Sequence, residues 1–196
     1  MKERPIIFST PMVQAILEGR KTQTMRVIKK MPKTLPGWWK ELYWASVGHF
    51  VKGAVQHCPY GKPGDLLWVR ETFCVWSYDN NDVWYKASPI SSQGWHNETL
   101  KNNGKKWKPS IHMPKKYARI WLEVTGVRVE RVQEISHADA VAEGYKECEP
   151  NNYGTGSRAR DWFACLWDSI NGKKNGCSWA ENPWVWIVEF KRVEGK

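Results

Sequence analysis

The spacing of hydrophobic residues changes several times along this chain, and each change predicts an element. Ser9 and Thr10 before Pro11 read as a helix start, with a hydroxyl cap and proline in the first turn. Val13, Ile16 and Leu17 follow at helical spacing as one buried stripe, and Gly19 ends the helix. Gly61, Pro63 and Gly64 form a turn before Asp65, and LLWVRETFCVW, residues 66–76, reads as a strand with Val83–Tyr85 as a short partner. Arg119–Val129 is the clearest strand: Ala118, Ile120, Leu122 and Val124 alternate with Arg119, Trp121, Glu123 and Thr125. Ser136 with Asp139 three residues on caps a short helix from His137 to Glu143, stopped by Gly144. Phe163, Leu166, Trp167 and Ile170 make an amphipathic helix ending near Gly172. PWVWIVEFKRV, residues 183–193, reads as a strand buried on both faces.

Between these elements, residues 29–64 are rich in Lys, Pro, Gly and Trp and read as an irregular insertion, while residues 88–110 and 147–157 read as loops. The order gives an α+β fold, a small, mixed, strongly twisted sheet or barrel carrying helices. It is a single domain over residues 1–196 with insertions at about 29–60 and 88–110. There is no alternating βαβ pattern, no G-x-G-x-x-G and no Walker loop, which argues against a nucleotide-fold enzyme.

Composition narrows the partners. With 41% hydrophobic residues and 14 Trp, the 196-residue chain can bury a core without staples. No apolar run approaches the ~18 residues of a membrane span, and the N-terminus lacks an apolar stretch of signal-peptide length, so neither a membrane nor secretion is expected. The formal charge of +10 calls for an anionic partner, of which nucleic acid is the commonest. Cys58, Cys74, Cys148, Cys165 and Cys177 are odd in number and lack C-x-x-C spacing. Reduced thiols in a cytoplasmic protein are therefore expected, with no disulfide framework and no zinc knuckle. His49, His57, His96, His112 and His137 show no ligand spacing, so no metal or cofactor is expected, although a histidine-based nuclease stays open.

The densest polar segment is GRKTQTMR, Gly19–Arg26, which sets Lys21, Thr22, Thr24 and Arg26 just after a helix end. Two cations and two hydroxyls can hold an anionic or hydrogen-bonding ligand, or form a solvated turn. In a straight strand Lys21 and Thr24 point to opposite faces, so convergence requires a turn over residues 20–24.

These residues resemble the ASCH family, whose motif is Gly-x-Lys-x-x-Glu-x-Arg. The chain matches it at Gly19, Lys21 and Arg26 and carries Thr24 where many members have Glu. Thr at that place resembles the small bacterial branch that hydrolyses N-acetylated cytidine. GDLLWVRETF and NPWVWIVEF resemble larger members found in phages and prophages. The resemblance covers most of the chain outside residues 29–60 and 88–110, and it implies a PUA-like mixed β-barrel. It also implies a cleft that recognises RNA or a modified nucleoside and hydrolyses an acylated cytidine. Non-catalytic RNA binding and ribonuclease activity are the alternatives.

In the hydrolase reading Thr24 is the nucleophile, Lys21 the base and Glu143, within ISHADAVAEG, the proton carrier. Arg26 anchors an oxyanion or phosphate, and Gly19, Arg20 and Thr22 complete the binding segment. For Lys21 to be half neutral at pH 7 its pKa must fall by about 3.4 from ~10.4, worth ~4.6 kcal/mol, which only a desolvated cleft supplies. Arg70 and Glu71 either line the cleft or form a cross-strand pair. Lys29, Lys30, Lys101, Lys105, Lys106, Lys108, Lys115, Lys116, Lys173 and Lys174 interleave with Trp38, Trp39, Trp95 and Trp107. Single-stranded RNA binding uses that pattern; the plainer reading is solvated lysines and core indoles such as Trp68, Trp121, Trp167, Trp184 and Trp186.

Overall fold

A computed structural model describes residues 1–28, 57–76, 82–88, 90–146 and 155–193. Lys29, Lys30, Trp38, Trp39, His49 and Cys148 lie outside them. The class is α+β, as the sequence predicts. Five strands form one mixed sheet: β1 (Glu3–Ile7), β2 (Gln23–Val27), β3 (Leu66–Arg70), β6 (Trp121–Arg131) and β7 (Trp184–Val193). Their order is β1-β3-β6-β7-β2, with β1 parallel to β3 and every other pair antiparallel. β4 (Phe73–Val75) and β5 (Val83–Tyr85) make a separate two-stranded sheet. The helices are α1 (Thr10–Leu17), α2 (Ile90–Asn102), α3 (His137–Ala142) and α4 (Thr155–Asn171).

β7 is central, and its run of apolar residues is explained by burial on both faces. Trp186, Val188 and Phe190 join a core with Ile6, Phe8 and Val13, while Val185 and Ile187 join a second core with Phe163, Trp167 and Ala140. β6 solves a parity problem visible in its sequence. Trp121 aside, the buried positions are even up to Val124 and odd at Val129. A bulge between Val124 and Gly126 inserts Thr125 and switches the face. The sheet also curls: its two edge strands meet where the Arg26 guanidinium of β2 donates to the Ile7 carbonyl of β1 at 2.7 Å.

Three expectations about element boundaries change. The strand over residues 66–76 breaks after Arg70, because the Glu71 N–H turns to the Met113 sulfur and its carboxylate is taken by Arg119. The loop over residues 88–110 contains α2, a helix without an apolar stripe. It is held by buried Leu100 and by Trp95 and His96 packing on Trp84. The loop expected over residues 147–157 is helical from Thr155; residues 147–154 lie outside the described set. At the end of the insertion, Cys58 and Tyr60 belong to the main core.

α3 begins as predicted, with Ser136 and Asp139 in a reciprocal capping box. It ends at Gly144, whose φ of +107° is open to glycine, and where an added Cβ would sit 3.2 Å from the Ala15 Cβ. Gly144→Ala is expected to lower stability by about 1–3 kcal/mol in urea denaturation, through strain and this close approach.

Candidate functional site

The segment after α1 is built to meet the end of α3. Gly19, at φ +74°, turns the chain so that the Arg20 and Lys21 amides both bond back to the Ala15 carbonyl. Three successive carbonyls at the end of α3 then receive three successive donors in reverse order. Ala142 accepts from the Thr22 amide at 2.9 Å, Glu143 from the Lys21 ammonium at 3.0 Å, and Gly144 from the Arg20 guanidinium at 2.7 Å. Helix C-termini leave such carbonyls unpaired and favour cations, so the contact suits both charge and hydrogen bonding.

The Glu143 carboxylate fixes the joint. One oxygen accepts from the Lys21 ammonium and the other from the Met25 amide of edge strand β2. The Lys21 side chain is 0% exposed and Glu143 is 3% exposed. Burial pushes the Lys21 pKa below its ordinary value; Glu143 opposes that shift and Arg26 adds to it. Burial likewise lowers Arg26, opposed by Tyr60 and Glu143.

Lys21 and Glu143 are thus brought together, and Thr24 lines the same cavity as Glu143; the turn expected over residues 20–24 ends before Gln23, where β2 begins. Lys21 precedes the strand, so strand alternation does not separate it from Thr24. Thr24 pairs with Val188, on the face of the Phe8 core, and the cations of Lys21 and Arg26 lie 5.7 and 5.2 Å from the Phe8 ring.

A cavity of about 170 Å³ runs along the β2 edge. Thr24, Arg26 and Glu143 line one side, and Phe163, Trp167 and Ile170 of α4 line the other. Arg26 lines the cavity, and its buried Nε has no hydrogen-bond partner. Lys21 lies behind Glu143 and does not line the cavity.

Gly19 shapes the turn, Arg20 is spent on Glu18 and Gly144, and Thr22 is exposed, with its amide and carbonyl bonded to Ala142 and Phe190. Arg70 and Glu71 are not brought to the cavity. Glu71 is 1% exposed and held by Arg119 at 2.8 and 2.9 Å, a structural ion pair between residues outside the strands instead of the expected cross-strand pair. Arg70 donates to the carbonyls of Ser110 and Ile111.

Sequence reasoning missed Tyr60, which lines the cavity 6.0 Å from the Arg26 cation, because it sits in a stretch without periodicity. The amphipathic stripe expected over α4 runs beyond the core: Ile170 is 45% exposed and lines the cavity.

Among the described residues no cluster of three or more His, Cys, Asp or Glu could hold a metal ion. No helix there is long and apolar enough to cross a membrane. Cys58, Cys74, Cys165 and Cys177 are free thiols.

No family model matches the chain, and no curated protein is significantly similar to it. A crystal structure of an ASCH domain from Lactobacillus crispatus JV V101 is similar at 13% identity, with a TM-score of 0.38, over 97% of this chain and 79% of that one.

The buried pair gives a stability prediction. Lys21→Met strands a buried carboxylate and is expected to cost about 3–5 kcal/mol; adding Glu143→Gln, which retains an acceptor for the Met25 amide, restores much of the loss. Just below pH 10.5 the folded chain binds fewer protons at Lys21 than the unfolded chain. Wild-type stability relative to the double variant should therefore rise as pH climbs from the depressed pKa toward 10.5. Urea midpoints across pH check both.

Proposed function

We propose that the β2-edge cavity recognises a nucleobase and hydrolyses the amide of an N-acylated cytidine, with Thr24 as nucleophile and the Glu143–Lys21 pair as proton carrier. The observation supporting this most is the position of Glu143. Its carboxylate shares the cavity wall with Thr24 and holds the Lys21 ammonium behind it. The motif resemblance at Gly19, Lys21 and Arg26 points the same way.

The Thr24 hydroxyl attacks the acyl carbon and its proton passes to the carboxylate. Collapse of the tetrahedral intermediate breaks the C–N bond, and the same proton goes to the departing exocyclic amine. Water then cleaves the acyl–threonine ester, releasing the acid and restoring the hydroxyl. The Arg26 guanidinium, which lines the cavity, supplies positive charge for the oxyanion. Phe163 and Trp167 give the base an apolar wall. Lys21 acts through Glu143: burial weakens its hold on its own proton, which makes the pair a buffer for the transferred one.

A second reading is favoured by one observation. Both Lys21 ammonium bonds go to Glu143 and the side chain is fully enclosed, an arrangement that also suits a structural tie beside a non-catalytic base-binding cavity.

Absorbance-monitored hydrolysis of N-acetylcytidine separates the two. Thr24→Val is expected to abolish turnover, Thr24→Ser to retain it, and Glu143→Gln to lower it ~10²–10⁴-fold. Undiminished turnover by Thr24→Val sinks the nucleophile assignment. No turnover by wild type, with measurable cytidine affinity, establishes the binding reading.

A further inference from the structure

A second surface, remote in sequence from the cavity residues, carries the charge and aromatic exposure that the cavity does not use. Between residues 83 and 117 the chain has seven lysines and one acidic residue, Glu98, leaving six of its ten net positive charges in this stretch. It contains β5, α2 and the chain that follows, packed on β4 around a small aromatic core. Trp84 is buried, with Trp76 stacked on it at 4.4 Å and His96 also at 4.4 Å. Trp95 packs against Trp84 at 5.2 Å yet remains 61% exposed. Trp107 is fixed by donating to Asn97 at 2.8 Å and meets His96 edge-on.

Beside these rings an open groove of about 400 Å³ is lined by Lys101, Lys105, Lys106, Asn97, Leu100 and Trp107. Lys101 closes α2, and Gly104, at φ +65°, turns the chain to bring Lys105 and Lys106 to the same groove. The Lys105 ammonium is held over the Trp76 ring at 4.6 Å. Lys101, Lys106 and Lys108 are exposed. Trp107 lines the groove beside the lysines, and Trp95, held by its neighbours but open to solvent, stands on α2 outside the groove; together the lobe offers base stacking and phosphate neutralisation. Any base has a face to stack, so such a surface needs no particular sequence; it does need bases free of a duplex.

We infer that the β4–β5–α2 lobe is a binding surface for single-stranded nucleic acid, with Trp95 as the stacking platform and Lys101, Lys105 and Lys106 as phosphate contacts. It stands independently of any chemistry in the cavity.

The test is fluorescence anisotropy with labelled 12-nucleotide RNA and DNA single strands and a matched duplex. Trp95→Ala should weaken binding of the RNA strand, the DNA strand or both by about 5- to 150-fold, and Trp95→Phe by less. The duplex should lose little. Lys101→Ala/Lys106→Ala should lower the salt slope of log affinity by about 1.4. Both sites are exposed, so circular dichroism should be unchanged. N-acetylcytidine turnover, if present, should be unaffected, and Thr24→Val should bind the strand like wild type. Wild-type affinity in both lobe variants overturns the inference. So does an equal loss in the control Lys62→Ala/Lys191→Ala, or a loss confined to Thr24→Val.

Discussion

The buried pair of Lys21 and Glu143 is the constraint on which the rest of this molecule depends. A lysine with no exposed side-chain surface is tolerable only where its charge and donors are met, and here a carboxylate and a backbone carbonyl from one residue meet them. The same carboxylate covers an amide of edge strand β2, which would otherwise lie unpaired. One residue at the end of a six-residue helix thereby ties the turn after α1, the edge of the sheet and α3 into a single joint.

That joint places the cavity. β2 is an edge strand, so side chains from both of its faces reach the space beside it. Arg26 uses this position twice, linking β2 to β1 through the Ile7 carbonyl while leaving its buried Nε uncommitted. The lining combines the polar groups of Thr24, Arg26 and Glu143 with the apolar rings of Phe163 and Trp167, a mixture that suits a flat heteroaromatic ligand. The basic lobe solves a different problem, with its charge outside and its rings stacked within.

Much of the fold was legible because it follows local rules. Ser136 and Asp139 cap α3, the apolar run of β7 marks a strand buried on both sides, and Val83–Tyr85 pairs with β4. α2 was not legible: its sequence has no stripe, and its helix is held by ring contacts from Trp84, a residue on another element. The break at Glu71 was hidden for a similar reason, since Met113 and Arg119, some forty residues away, decide it.

By itself the sequence determined the α+β class, the end of the helix at Gly19 and the concentration of Lys21, Thr24 and Arg26 after it, because caps, glycines and alternation act over a few residues. The tertiary structure alone decided that Lys21 is enclosed, that Glu143 meets it across 122 positions, and that Arg70 and Glu71 serve the framework instead of the cavity. Desolvation and ion pairing depend on what surrounds a group in space, and that is set by chain segments far away in sequence.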